Sequence, residues 1–133
     1  MFIIKEKVLE QFRLFAKALK PNEACGLLVS SFGEKKIDGF IPVKNTSDNP
    51  TNQFHFDPKN FIPQIYDLEN KGVKWIGVIH SHPQTSAFPS LEDISNWHYP
   101  ELSYWIYSLK DDQLKAYSIK EGKVKAIEYR ITL

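Results

Sequence analysis

The chain reads as one α/β domain, a mixed and mainly antiparallel sheet flanked by helices. Three observations predict it. Apolar residues recur at helical spacing from Lys5 to Lys20 and again from Pro58 to about Lys71. Short apolar runs of strand length, bounded by turn formers, fill most of the remainder. A length of 133 residues suits a single domain over 1–133, large enough to bury about two thirds of its unfolded surface.

Taken in order, Met1 to Ile4 reads as a short edge strand. A helix follows with Val8, Leu9, Phe12, Phe15, Ala16 and Leu19 on one stripe, and Pro21 closes it. Ala24 to Ser31 reads as a buried strand, Ser31 to Glu34 as a turn, and Lys36 to Val43 as a returning strand, so the two form a hairpin. Glu23 then stands at the start of a core strand. Lys44 to Asn52 is polar, with Asn45, Asp48, Asn49 and Pro50 as turn formers, and predicts an exposed loop.

Gln53 to Phe56 reads as a brief strand, after which Asp57 supplies an N-cap and Pro58 the first helical position. In that second helix Phe61, Ile65 and Leu68 point inward, Pro63 is tolerable only within the first turns, and Gly72 provides the C-cap. Beyond the middle of the chain, Ser103 to Leu109 is an apolar strand and Asp111-Asp112 a turn. Gln113 to Lys120 and Lys123 to Ile131 form a hairpin around Glu121-Gly122.

The informative stretch is Trp75 to Trp97. Trp75-Ile76-Gly77-Val78-Ile79 is a buried-strand run that stops on His80-Ser81-His82-Pro83. Side chains alternate along a strand, so both imidazoles leave one face, and Pro83 ends the ladder where a loop opens. Ser90 then begins a short helical pattern with Asp93 three residues along the same face. If the loop folds back, two imidazoles and a carboxylate converge, a set that holds catalytic zinc and leaves a fourth position for water. From the residues alone a second reading stands beside it: polar groups at a strand end, and a capping-box variant at a helix start.

His80-x-His82, seven residues, Ser90, two residues and Asp93 match in full the H-x-H-x7-S-x2-D pattern of the JAMM (MPN-plus) zinc metalloproteases, Ser81 and Pro83 included. That family carries a glutamate far upstream, before a small-residue apolar strand, and Glu23 in Pro21-Asn22-Glu23-Ala24-Cys25-Gly26 takes that place. The chain resembles the family over essentially its whole length. The resemblance implies a JAMM/MPN fold of cytidine-deaminase-like architecture. It also implies one zinc per chain on His80, His82 and Asp93, Glu23 as general base and acid, and Ser90 as hydrogen-bond donor to the oxyanion. Their chemistry follows known rules: zinc lowers the pKa of its water toward neutrality, a nearby unbound carboxylate shuttles protons, and a preplaced donor stabilises developing charge.

Asn45 to Asp57, and His98-Tyr99-Pro100 leading into Ser103 to Leu109, are similar to the small stand-alone prokaryotic members. Those imply hydrolysis of the bond after the C-terminal Gly-Gly of a ubiquitin-like or sulfur-carrier protein, with release of cysteine or another amine. A Gly-Gly tail can lie as an added strand in a narrow groove beside the metal, for which Asn45 to Phe56 and Gln84 to Phe88 are the expected walls. The alternatives are a JAMM peptidase of the phage tail-assembly type and a non-catalytic MPN-type binding module, which usually lacks one or more of the ligands present here.

Other classes are excluded or receive no support. Zinc deaminase chemistry needs H-x-E and P-C-x-x-C, and the chain has H-x-H and a single cysteine. Seventeen basic against sixteen acidic residues, in no long run of either sign, give no basic stripe for a nucleic-acid partner. No apolar run reaches the ~20 residues of a membrane span and no signal peptide is visible, so a cytoplasmic protein is expected. Cys25 is expected to pack as a small hydrophobe, Glu92 to face solvent, and His55 and His98 to stay outside the metal set.

Overall fold

The chain builds two sheets where the sequence predicts one. The structure, a computed structural model, describes residues 1–33 and 35–133; the expected turn at Ser31 to Glu34 ends on a residue outside them. The elements run β1 (Phe2–Lys5), α1 (Glu6–Leu19), β2 (Cys25–Ser30), β3 (Lys36–Ile37), β4 (Gly39–Val43), α2 (Pro58–Asn70), β5 (Lys74–His82), α3 (Leu91–Asn96), β6 (Ser103–Ser108), β7 (Gln113–Lys120), β8 (Lys123–Ile127) and β9 (Tyr129–Thr132). The larger sheet has the order β4-β2-β5-β6-β7-β8. Its neighbours are antiparallel except β5 and β6, as a mixed and mainly antiparallel sheet requires.

The smaller sheet, β3-β1-β9, is parallel throughout and corrects three expectations. β1 is its middle strand, not an edge: Ile4 is fully buried and pairs with Ile37 on one side and Ile131 on the other. Lys36 to Val43 is not one strand, because it breaks at Asp38. Lys36–Ile37 joins β1, while Gly39–Val43 joins β2, with Asp38 donating its N–H to the Val29 carbonyl. Gly39 suits that junction, since a Cβ there would lie 2.8 Å from Val29 Cγ2. Lys123 to Ile131 breaks in the same manner at Glu128, sending β8 to β7 and β9 to β1.

Alternation along the central strands sorts the core onto two faces. Leu28 and Ile79 meet α1, which buries Val8, Leu9, Phe12 and Ala16, together with Ile4, Trp105 and Tyr107. Leu27 and Val78 face the other way and meet Phe61 and Ile65 of α2. Each such side chain removed from water contributes roughly 1.5–3 kcal/mol, which is what seats the helices. The inward stripes are shorter than expected: Leu19 is exposed and Leu68 is half-buried. Asp57 caps α2 by accepting the Lys59 N–H, and Gly72 lies just past its end at φ +80°.

Gln53 to Phe56 forms no strand. The segment is held by side-chain bonds from Asn45 instead of a ladder, and Phe54 and Phe56 bury their rings by stacking with each other and on His80 and Phe61.

Candidate metal centre

β5 lies inside the larger sheet, between β2 and β6, and runs through both histidines before Pro83 stops it. His80 and His82 share a face as the strand period demands, with ring centroids 4.9 Å apart and Nε2 atoms 3.0 Å apart. α3 folds back over them. Asp93 Oδ2 is 3.1 Å from His82 Nε2 and 3.3 Å from His80 Nε2.

The fold-back is built by local chemistry. Ser90 Oγ accepts the Asp93 N–H at 3.0 Å and Asp93 Oδ2 accepts the Ser90 N–H at 2.9 Å, a reciprocal cap on α3. The connecting loop is pinned from below by Ser108 Oγ, which donates to the Thr85 carbonyl at 2.7 Å, and by the Tyr117 hydroxyl, which donates to Ala87 at 2.5 Å. His82 Nδ1 lies 2.8 Å from the Ser86 carbonyl, which can only accept. Nδ1 therefore carries a hydrogen and Nε2 faces the cluster, where it donates to Asp93 in the metal-free protein and would offer its lone pair to a metal once that proton has left.

Glu23 completes the group from the other side. Ser81, between the two histidines, accepts the Ala24 N–H on Oγ at 2.8 Å and donates its own N–H to the Ala24 carbonyl at 2.9 Å. This draws the start of β2 against β5 and brings the Glu23 carboxyl in. Ligand atoms of Glu23, His80, His82 and Asp93 all lie within 4.8 Å of one another, and all four residues are buried.

Among the described residues, Glu23 Oε1 and His80 Nδ1 are buried with no hydrogen-bond partner. A buried carboxylate oxygen left alone is costly, so an open donor set of two imidazoles and two carboxylates fits a divalent cation that takes nitrogen and oxygen ligands. The two carboxyls differ sharply. Burial pushes Glu23 up to about 8, only partly opposed by His82. Burial pushes Asp93 upward too, but attraction and hydrogen bonds from His80 and His82 outweigh it and hold the carboxyl far below its usual range. Burial lowers His80, whereas in His82 the bonds to Asp93 and the Ser86 carbonyl overcome burial and raise it. One carboxylate is thus fixed in its charged form and the other is poised near neutrality.

A cleft of about 300 Å3 opens beside Asp93. Its first wall is Gln53 to Phe56, inside the segment the sequence nominates; its second is α3 with Asn96 to Tyr99, not Gln84 to Phe88. Glu92 is exposed as expected but lines this cleft, as do His55 and His98, and neither histidine enters the metal set. Cys25 is buried, paired in register with His80, with its sulfur 3.4 Å from the Val43 carbonyl; burial pushes its thiol up.

Sequence reasoning gave three residues here no individual role. Phe54, expected only within a groove wall, stacks on His80 at 4.4 Å; Tyr104 packs on the same ring at 5.1 Å; and Asn45, read as a turn former and the start of that wall, binds the Glu23 carbonyl at 3.1 Å. The aromatic pair carries no signal beyond core-like apolarity. Asn45 could be found only by asking which polar side chain the loop buries.

Comparison with known proteins agrees with this geometry. The chain is 29% identical over 122 residues to a probable TtuB-protein conjugate cleaving protease of Thermus thermophilus, covering 90% of this chain and 77% of that one. It is 26% identical over 127 residues to the CysO-cysteine peptidase of Mycobacterium bovis, covering 93% and 86%. Among solved structures, protein DSY2949 of Desulfitobacterium hafniense superposes with a TM-score of 0.88 at 31% identity, covering 99% of this chain and 93% of that one. Residues 5–120 match the family of prokaryotic homologs of the JAB domain, and the chain belongs to that family.

Proposed function

We infer that the chain is a zinc-dependent JAMM-type peptidase, a single domain over 1–133, that hydrolyses an amide bond after the C-terminal Gly-Gly of a ubiquitin-like or sulfur-carrier protein. The observation that carries this reading is the buried convergence of Glu23, His80, His82 and Asp93. His80, His82 and Asp93 are the ligands, binding one zinc per chain, because His80 and His82 both turn Nε2 toward Asp93 and Asp93 stays ionised. Bound zinc supplies a Lewis acid that polarises the scissile carbonyl and acidifies water.

Glu23 acts as general base and then as acid toward the leaving amine, its buried carboxyl lying beside the ligand set with Oε1 free of any hydrogen-bond partner among the described residues. Ser90 uses its oxygen for the cap and, among the described residues, donates its hydroxyl hydrogen to no one, so that proton is free for an oxyanion. For the tail, Asn45 and Thr46 bond backbone groups of Gln53 and His55, while the main-chain groups of Phe54 and Phe56 bond to nothing among the described residues. Such unbonded groups on the cleft wall suit pairing with an extended peptide. The names of the relatives support the substrate class: one cleaves TtuB conjugates and the other acts on CysO-cysteine. No helix among the described residues is long and apolar enough to cross a membrane, and we place the reaction in the cytoplasm.

Elemental analysis of the purified protein tests the site, on wild type and on the double substitution His80→Ala, His82→Ala. About one zinc per chain, lost in the double variant, is expected, followed by cleavage of a Gly-Gly conjugate by wild type alone. Glu23→Gln should keep the zinc and lose about 10²–10⁴-fold in rate. A wild type that takes up no zinc, or a fully active Glu23→Gln, would falsify this assignment.

A further inference from the structure

The loop between β4 and α2 reaches the Glu23 backbone through one side chain. Asn45 Nδ2 donates to the carbonyls of Glu23 at 3.1 Å and Gln53 at 2.9 Å, and Oδ1 accepts the N–H groups of Ser47 and His55, each at 3.1 Å. An amide offers two donors and two acceptor positions, so Asn45 is fully used. The same loop takes the Glu23 N–H on the Pro50 carbonyl at 2.7 Å. Among the described residues these are the only hydrogen bonds of the Glu23 backbone, and its carboxyl Oε1 has none.

No hydrogen bond to Oε1 fixes the carboxyl; its backbone places it, held by this loop at Glu23 and by the Ser81 pair at Ala24. Phe54, between the two loop residues that Asn45 grips, is the ring stacked on His80. One amide thus joins the cleft wall, the face of a candidate ligand and the glutamate.

We propose that Asn45 is a positioning residue, which sets the place of the Glu23 carboxyl by tying its carbonyl to the Gln53–His55 segment that walls the cleft. The kinetic part rests on the peptidase reading; the structural part does not. Displacing a catalytic group by about 1 Å can cost about 10²-fold in rate, so a brace of this kind has leverage without touching substrate.

Two variants separate its functions. Asn45→Asp keeps the acceptors for Ser47 and His55 but cannot donate to Glu23 or Gln53, whereas Asn45→Ala loses all four bonds. Both are expected to retain zinc, to exchange the Glu23 amide hydrogen faster than wild type, and to lower kcat about 10- to 100-fold with a smaller change in KM. In a Glu23→Gln background neither should lower kcat further, because a residue that acts through Glu23 has nothing left to position. Wild-type exchange at Glu23 in both variants would overturn the proposal, and so would losses that multiply in the double variant. If wild type cleaves no Gly-Gly conjugate, the peptidase reading fails and amide exchange alone decides the role of Asn45. If Asn45→Ala does not fold, Asn45→Asp carries the test.

Discussion

Asp93 and Glu23 end within 4.8 Å of each other, yet they arrive by different routes and hold opposite charge states. Asp93 comes by a short path: a cap from Ser90 three residues away and a loop of a few residues back to His82. Glu23 comes by a long one, through Ser81 in the middle of β5 and through Asn45 and Pro50 in the loop before α2. The short route delivers a carboxylate surrounded by donors, which stays ionised. The long route delivers one surrounded by packing, which holds its proton toward neutrality. The proposed mechanism uses both, a fixed anion for a cation and a carboxyl that exchanges a proton, and the fold makes the difference by choosing what each carboxyl touches.

The largest effect is expected from removing the charge that the short route delivers. Asp93→Asn keeps the shape but places a neutral amide against two inward imidazoles, so zinc content should fall to background and activity with it. Glu23→Gln should leave zinc in place. Parallel elemental analysis of the two variants checks this, and equal zinc loss in both would erase the distinction between ligand and base.

A second, smaller effect appears when the metal is stripped. Glu23 has a folded pKa of about 8 against a reference of 4.5, so the folded state binds the proton more tightly than the unfolded one. Its contribution to stability is complete below the unfolded value and is lost as pH rises through the folded one. Metal-free protein should therefore lose stability as pH rises from about 5 through 8, by at most about 5 kcal/mol from this group at about 1.4 kcal/mol per pH unit. His82, also raised, loses its part over a neighbouring range, so Glu23→Gln is the control that isolates the carboxyl. Asp93 is depressed and acts with the opposite sign, only in acid. Urea titrations of metal-free wild type and Glu23→Gln across that range give the slope directly; equal slopes would mean that Glu23 is already ionised.

The same contrast governs what could be read from the sequence. His80, His82, Ser90 and Asp93 are legible because their geometry is local: a strand period of two and a cap spanning three residues. Both helices and the central strands are legible for the same reason. Glu23 is visible only by resemblance, because nothing in Pro21 to Ala24 says that Ser81, 57 residues on, will pull it inward. The smaller sheet fails identically: β1 pairs with β9 across nearly the whole chain, and a two-residue strand such as β3 has no period to detect. Gln53 to Phe56 alternates like a strand because two rings are buried, but their burial is by stacking and the backbone has no partner strand. Periodicity reports burial; it does not report what does the burying.

Ser90 gives the smallest effect and the finest test, since the proposed mechanism assigns one hydroxyl two tasks. Its oxygen caps α3 and so places Asp93; its hydrogen, in the proposal, binds the oxyanion. Ser90→Ala should remove both, at about 1 kcal/mol in stability and about 10²-fold in kcat. Ser90→Asp retains a capping oxygen with no hydrogen to donate, so thermal stability and zinc content should return toward wild type while kcat stays low. Had the cap been the whole role of Ser90, activity would return with stability, because restoring α3 restores Asp93. Activity that stays lost in a well-folded, zinc-loaded Ser90→Asp protein separates positioning a ligand from stabilising developing charge, which the wild-type geometry leaves superimposed on one hydroxyl.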